Sequence, residues 1–531
     1  MEPLALEEGP VDFIRTSLER CAGHVHQNAK TRDFLPTRLI DVTGEFPRIV
    51  KPSTSSPEEP PPHDRRYLAL SYCWGGQSQL LLTRESEQEF HTGLPREKLS
   101  PTQRDTIALA KALSIPYVWI DALCIRQNDR KDWESEAPVM GEIYSGAYLT
   151  VCAASSSSAQ EGYLDREFVT PITVPVDPVS DPSGSIGGTY VFEPIMWLHD
   201  LNFTYNECGQ FSLSSSDWAT RAWTHQEMKM STRLLYFTTS GMHFNCGQYI
   251  DSEYPYHIRL PDPATFMDDA TTIYDRVGLE SLYELSDTYD IYLEWTRRVT
   301  VKHGGRNMTE PTDAFPSLSG LANIFASLLQ DDYVAGLWRK SLLSGLTWCT
   351  ENPAHNSLES LFPSWSWVAH GRIRAGVQLT WDVPHPRDFT NECEDLKAVW
   401  ALKTTDPCGE LKSASLRIRT RVYSFQHGCL PYGLAYKLQQ GTKRGNVYLS
   451  FDFRDADYED LKLRDEWKDF VLILVATYRY PHNHTQPWPL GLIACPAYDG
   501  VRYIRIGRFH GYNDDLGELF KQCDVKDIEI V

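Results

Sequence analysis

The chain has 531 residues, 41% apolar and 23% charged, an ordinary globular composition with room for roughly three domains. Its 51 Lys and Arg stand against 71 Asp and Glu, a net charge of −20 that repels phosphate backbones and anionic lipid. General nucleic-acid binding and membrane-surface attachment are therefore disfavoured.

The first residues, Met1 to Glu8, are acidic and lack an apolar run of signal-peptide length. The longest strongly apolar run, Phe470 to Thr477, is too short to span a bilayer. Of the 12 cysteines the closest pair, Cys393 and Cys408, lies 15 positions apart, so no CxxC motif exists and no zinc site is read. A reduced cytoplasmic setting is expected, with no metal and no resident cofactor.

A Pro/Ser-rich stretch over 51–66 reads as a linker closing an N-terminal extension, 1–60. After it, Tyr67 to Tyr72 has the length of a buried strand. Thr102 to Leu113 has helical spacing, and Tyr117 to Ile120 reads as a second strand. A further helix is expected from an N-cap at Ser135, with Pro138 in its first turn. Leu149 to Ala154 reads as a third strand. A long polar insertion follows, then a short helix, Ala222 to Met228, and a fourth strand, Arg233 to Phe237. This alternation predicts a parallel α/β sheet flanked by helices over 61–250. Helical patterns follow over 251–375 (Tyr283–Val299, Leu318–Leu329 and Tyr333–Trp348), and a β-rich region over 376–531.

Ligands of such sheets sit at the carboxyl ends of the strands. Uncommon polar residues cluster there: Ser71 and Cys73 after the first strand, Asp121 and Gln127 after the second, Ser155 to Ser158 after the third.

Three segments together resemble the fungal heterokaryon-incompatibility (HET) domain. They are Tyr67-Leu-Ala-Leu-Ser-Tyr-Cys-Trp-Gly75, Val118-Trp-Ile-Asp-Ala-Leu-Cys-Ile-Arg-Gln127 and Arg221-Ala-Trp-Thr-His-Gln-Glu227. Thr309 to Asp313, Leu318-Ser-Gly320, Gly336-Leu-Trp338 and Pro363-Ser-Trp-Ser-Trp367 resemble the region that follows it in such proteins. The resemblance implies a role in non-self recognition and programmed cell death. The family is distantly similar to TIR domains, some of which hydrolyse NAD through a glutamate in a Trp-Cys-x-x-Glu helix motif. Trp223 to Glu227 resembles that motif with Thr in place of Cys, and the long insertion before it is a departure from the TIR pattern.

On that resemblance Glu227 is the candidate catalytic carboxylate, suited to stabilising the ribosyl cation formed when an N-glycosidic bond breaks. Ser71, Tyr72, Cys73, Trp74, Gly75, Asp121, Gln127 and Trp223 are candidate substrate-binding residues. Trp223 and Glu227, at i and i+4, share a helix face on which an indole could stack a base. Each has a structural alternative: Trp223 as core, Glu227 and Asp121 as caps, Gln127 as a loop tie. Cys73 or Cys124 with His225 or His243 forms the composition of a thiol nucleophile, without spacing that supports it. Two functions remain open. One is a TIR-like hydrolase of NAD or a related nucleotide; the other is a non-enzymatic scaffold that self-associates and recruits partners. In either, self-association and a separate protein trigger are expected.

Overall fold

The computed structural model describes residues 8–23, 34–52, 64–76, 78–165, 172–175, 189–192, 216–239, 241–253, 282–283, 285–304, 306–348, 361–370, 389–424, 435–440, 443–452, 470–478, 487–511 and 514–531. The strand β3 (Tyr67–Ser71) is buried along its whole length, as is β5 (Leu149–Ala153). Between them β4 (Tyr117–Trp119) follows α3 (Pro101–Ala112). That helix begins with a capping box, Ser100 with Gln103, and has Pro101 in its first turn.

The parallel strands run in the order β4, β3, β5, β8 (Leu234–Thr238), with β8 following the helix α8 (Ala222–Met230). Antiparallel strands extend both edges. β1 (Leu39–Asp41) and β2 (Arg48–Val50) lie beyond β4, and β9 (Gly241–Asn245) and β10 (Ile250–Ser252) beyond β8. Among the described residues the sheet therefore has eight strands and begins before residue 61. The helix α1 (Glu8–Ala22) joins it by burying Val11, Ile14, Leu18 and Cys21 in the same core. The first parallel strand, β3, lies between the second, β4, and the third, β5, so the connections diverge between β3 and β5. A crevice at such a point is where doubly wound sheets bind ligands.

The helix expected from Ser135 starts earlier. The segment α5 (Arg130–Glu136) is capped by Asp129, whose carboxylate accepts from the N–H groups of Lys131 and Asp132. Ser135 is inside it, with its hydroxyl on the Asp132 carbonyl at 2.8 Å. A 3₁₀ turn through Pro138 then leads to α6 (Met140–Gly146). Of the long insertion the structure describes one hairpin, Ile172–Pro175 with Thr189–Phe192.

After the sheet come Thr288–Glu294, a π-helical turn Trp295–Thr300, Val301–Gly304 and the long helix Pro316–Leu329. The third expected helix there, Tyr333 to Trp348, is instead a hairpin, Tyr333–Val334 with Leu337–Trp338, followed by single turns. Ala335 (φ 52°) and Gly336 (φ 89°) reverse the chain in the left-handed region, which a helix cannot include.

The described residues of the C-terminal region form a nine-stranded, almost wholly antiparallel sheet. The apolar run predicted at Phe470 is its strand Val471–Tyr478, buried on both faces. Val471, Ile473 and Val475 join the main core, while Leu472 and Leu474 pack with Leu516, Leu519 and Phe520 of the helix Asp514–Lys521. The main hydrophobic core is thus continuous from α1 to Ile530. Arg505 ties this sheet to the preceding region. It donates to Asp452 Oδ2 (2.9 Å) and to the carbonyls of Leu346 (2.9 Å) and Trp348 (2.6 Å), and it lies 3.4 Å over the Trp348 ring. Among the described residues no helix is long and apolar enough to cross a membrane.

Candidate functional site

Ser71 ends β3, is paired in register with Cys152 of β5 and is buried. The hydroxyl accepts from Trp218 Nε1 at 2.7 Å and donates to Glu227 Oε2. Trp218 sits in a one-turn helix, α7 (Asp217–Thr220), capped by the Ser216 hydroxyl on the Ala219 N–H. Its ring stands edge-on to Tyr236 of β8, 5.8 Å between centroids. On the other side the Tyr144 hydroxyl lies next to Glu227 and donates to the Leu70 carbonyl at 3.0 Å. The far end of α8 is pinned to β5: Ser231 Oγ lies 2.7 Å from both the Glu227 carbonyl oxygen and Thr150 Oγ1.

Glu227 is 7% exposed. Burial pushes its carboxyl up to about 7, the Ser71 hydroxyl opposes that rise, the charge of Asp121 adds to it, and Arg221 and Tyr144 lower it. Burial that raises a carboxyl toward neutrality recurs in acid–base and electrostatic catalysts, and also in structural side chains.

A second group lies at the end of β4. Asp121 Oδ2 accepts from Trp74 Nε1 at 2.9 Å and Oδ1 from its neighbour Ala122 N–H at 2.6 Å. Burial raises the Asp121 carboxyl, and those hydrogen bonds oppose the rise. Tyr72 is buried, with its hydroxyl on Gln79 Oε1 at 2.9 Å. Gly75 has φ +74°, and a Cβ there would fall 2.0 Å from Ser158 Cβ, so the loops after β3 and β5 touch.

The remaining candidates are placed elsewhere. Gln127 donates through Nε2 to the carbonyls of Asp121 (3.1 Å) and Ile125 (2.9 Å), tying its own loop. Trp223 turns its indole to Asp313 Oδ2, 2.9 Å away in the helical region, and so is not among the groups gathered around Ser71. Cys73 is buried against Trp218, Cys152 and Tyr236. Burial pushes both the Cys73 and the Cys124 thiols up to about 12, far from the thiolate a nucleophile needs. His225 stacks edge-on to His303 and His243 meets Ser252 Oγ at 2.8 Å, so neither histidine completes a thiol pair.

Sequence reasoning passed over Trp218 and Tyr144. The first occupies a single turn and the second sits within an ordinary apolar stripe, so only the tertiary fold reveals that both converge on Ser71 and Glu227.

A doubly wound α/β domain with a buried carboxylate at its switch point is the class that fold and site define. Residues 67–227 match the model of the family described as heterokaryon incompatibility protein (HET), and this chain carries a HET domain there. The matched span opens on the first residue of β3 and closes on Glu227 itself. Searches of curated proteins and of solved structures found no match.

Proposed function

We propose that the HET domain acts in non-self recognition and cell death by hydrolysing the N-glycosidic bond of NAD or a related nucleotide in a TIR-like manner, with Glu227 as the catalytic carboxylate. The observation that supports this reading is Glu227 itself: buried, fixed by the Ser71 hydroxyl at the carboxyl end of β3, with its carboxyl raised by burial to about 7. In NAD the C1′–N bond breaks with its electron pair passing to the nicotinamide ring nitrogen, which neutralises the pyridinium. Water's oxygen then bonds to C1′ and one proton is released. Ionised Glu227 opposes the positive charge of the ribosyl cation in between. Asp121, at the neighbouring strand end, is suited to accept from ribose hydroxyls.

The test is NAD turnover by the purified chain and by Glu227→Gln, each with and without a crowding agent to drive self-association. Turnover by the wild type alone supports the assignment; turnover by both moves the carboxylate role to Asp121. A scaffold reading is favoured by the burial of Glu227 against the Ser71 hydroxyl. It predicts no turnover and undiminished toxicity of Glu227→Gln in cells.

A further inference from the structure

Arg221 caps the N-terminus of α8 and is the first residue of the Arg-Ala-Trp-Thr-His-Gln-Glu segment. Its backbone is fixed from outside the sheet. The Arg221 carbonyl accepts from Arg306 Nη1 at 3.1 Å, and the next N–H, of Ala222, donates to the Asn307 carbonyl at 3.0 Å. Its positive charge is felt by Asp121, Glu227, Tyr72 and Cys73, groups belonging to three different elements at one end of the sheet. Yet among the described residues no acceptor hydrogen-bonds the guanidinium and no carboxylate pairs with it, and its Nε is buried. Two fully buried arginines of this chain spend their guanidinium groups on internal acceptors, although the Nε of Arg38 is without a hydrogen-bond partner, like that of Arg221. Arg505 holds a carboxylate and two carbonyls, and Arg38 holds both oxygens of Asp132 and the Cys124 carbonyl.

A planar guanidinium offers a fork of N–H donors that matches two oxygens of a phosphate. Two carboxylates share this end of the sheet, so a ligand that is anionic throughout would be repelled. The complementary ligand is divided: hydroxyls or a cationic centre toward Asp121 and Glu227, and an anionic group toward Arg221. We propose that Arg221 binds a phosphate of the substrate, so that the site takes nucleotides and discriminates against nucleosides bearing the same glycosidic bond. This rests on the hydrolase reading above for the bond broken, but the anion site can be tested without it.

The experiment compares the full chain with Arg221→Ala and Arg221→Lys on NAD and on nicotinamide riboside, which has the same bond and no phosphate. ADP-ribose binding is followed in parallel by calorimetry. A charge-assisted bidentate contact corresponds to about a 10- to 100-fold change. Arg221→Ala should lose about that factor in kcat/KM for NAD, mainly through KM, and change the riboside by less than about threefold, with Arg221→Lys in between. Equal losses on both substrates, with melting unchanged, overturn the proposal, as does a wild type that cleaves the riboside as well as NAD. Should the wild type cleave neither, the hydrolase reading fails on its own. ADP-ribose binding that is salt-sensitive and lost in Arg221→Ala then upholds the anion site, and absence of ADP-ribose binding removes it.

Discussion

Ser71 and Glu227 lie 156 positions apart in the chain, and the serine hydroxyl donates a hydrogen bond to Glu227 Oε2. Because the same hydroxyl accepts from Trp218 Nε1, its proton is directed at the carboxylate. That bond favours the ionised form and opposes the upward push of burial. Ser71→Ala should therefore raise the Glu227 carboxyl further above about 7, and the alkaline-rising limb of the pH–rate profile should move to higher pH. A profile unchanged in midpoint would disconnect Ser71 from the titrating group.

The same carboxyl makes stability depend on pH. Its ordinary value is 4.5 and its folded value about 7, so between those pH values the folded chain binds more protons than the unfolded one. Stability attributable to Glu227 thus falls as pH rises through that window and stays reduced above it. Glu227→Gln removes the titration and retains an amide oxygen for Ser71. It should be more stable than wild type at pH 8 by roughly 1–3 kcal/mol, with the gap closing toward pH 5. Denaturant melts at the two pH values check this, and identical gaps would mean that the buried charge is not what destabilises the site.

On its outer side α8 is gripped by the region after the matched span. Trp223 reaches Asp313, Thr224 Oγ1 accepts from Arg306 Nη1 at 3.0 Å, and Gln226 Oε1 accepts from the Gly320 N–H at 2.8 Å. Gly320 permits this approach, since a Cβ there would lie 2.9 Å from Gln226 Oε1 and 3.1 Å from Gly141 Cα. Trp223→Phe should cost about 1 kcal/mol of stability and leave KM unchanged. A large rise in KM with normal melting would restore Trp223 to a base-stacking role.

Much of this arrangement is legible in residue pattern. Continuous apolar runs mark β3, β4 and β5, and the polar residues that interrupt them at their carboxyl ends include Ser71 and Asp121. What pattern does not carry is β1 and β2, three-residue strands that, unlike β4, interrupt their apolar residues with Asp41 and Arg48 and so form no continuous apolar run. Nor does it separate a Ser at position 135 from the Asp at 129 as the cap of α5, because both precede acceptable helical stretches. At Tyr333 to Trp348 the aromatic spacing is compatible with a helix, and the Ala335–Gly336 turn overrides it. Trp223 shows the limit for sites. Its i, i+4 relation to Glu227 is real, but the indole is drawn to Asp313 by a partner 90 positions away.

The loop after β3 packs directly on the loop after β5 at Gly75. Gly75 combines positive φ with a Cβ position inside the van der Waals radius of Ser158. Gly75→Ala must displace the 155–158 loop as well as strain its own backbone, and should destabilise by roughly 2–4 kcal/mol. Gly76 has the same sign of φ but open space, so Gly76→Ala should cost only about 1 kcal/mol. Similar melting of the two variants would show that the loops do not touch in solution.

Arg505 couples the C-terminal sheet to the segment before it, and its contacts divide into charge and carbonyl parts. Its side chain is fully buried with Asp452, so removal leaves a buried carboxylate and the carbonyls of Leu346 and Trp348 without their donor. Arg505→Met should therefore destabilise by about 3–5 kcal/mol. The double variant Arg505→Met/Asp452→Asn, which no longer buries an uncompensated charge, should recover part of that loss while the carbonyls stay unserved. Hydrogen exchange at residues 342–348 distinguishes the two contributions. Faster exchange there in both variants, with global stability partly recovered only in the double variant, would show that the carbonyl contacts hold this segment to the sheet and that the Asp452 charge, once Arg505 is gone, causes the recovered part of the loss. Full recovery of protection in the double variant would assign the loss in Arg505→Met to the buried Asp452 charge and leave the carbonyl contacts without a measurable part.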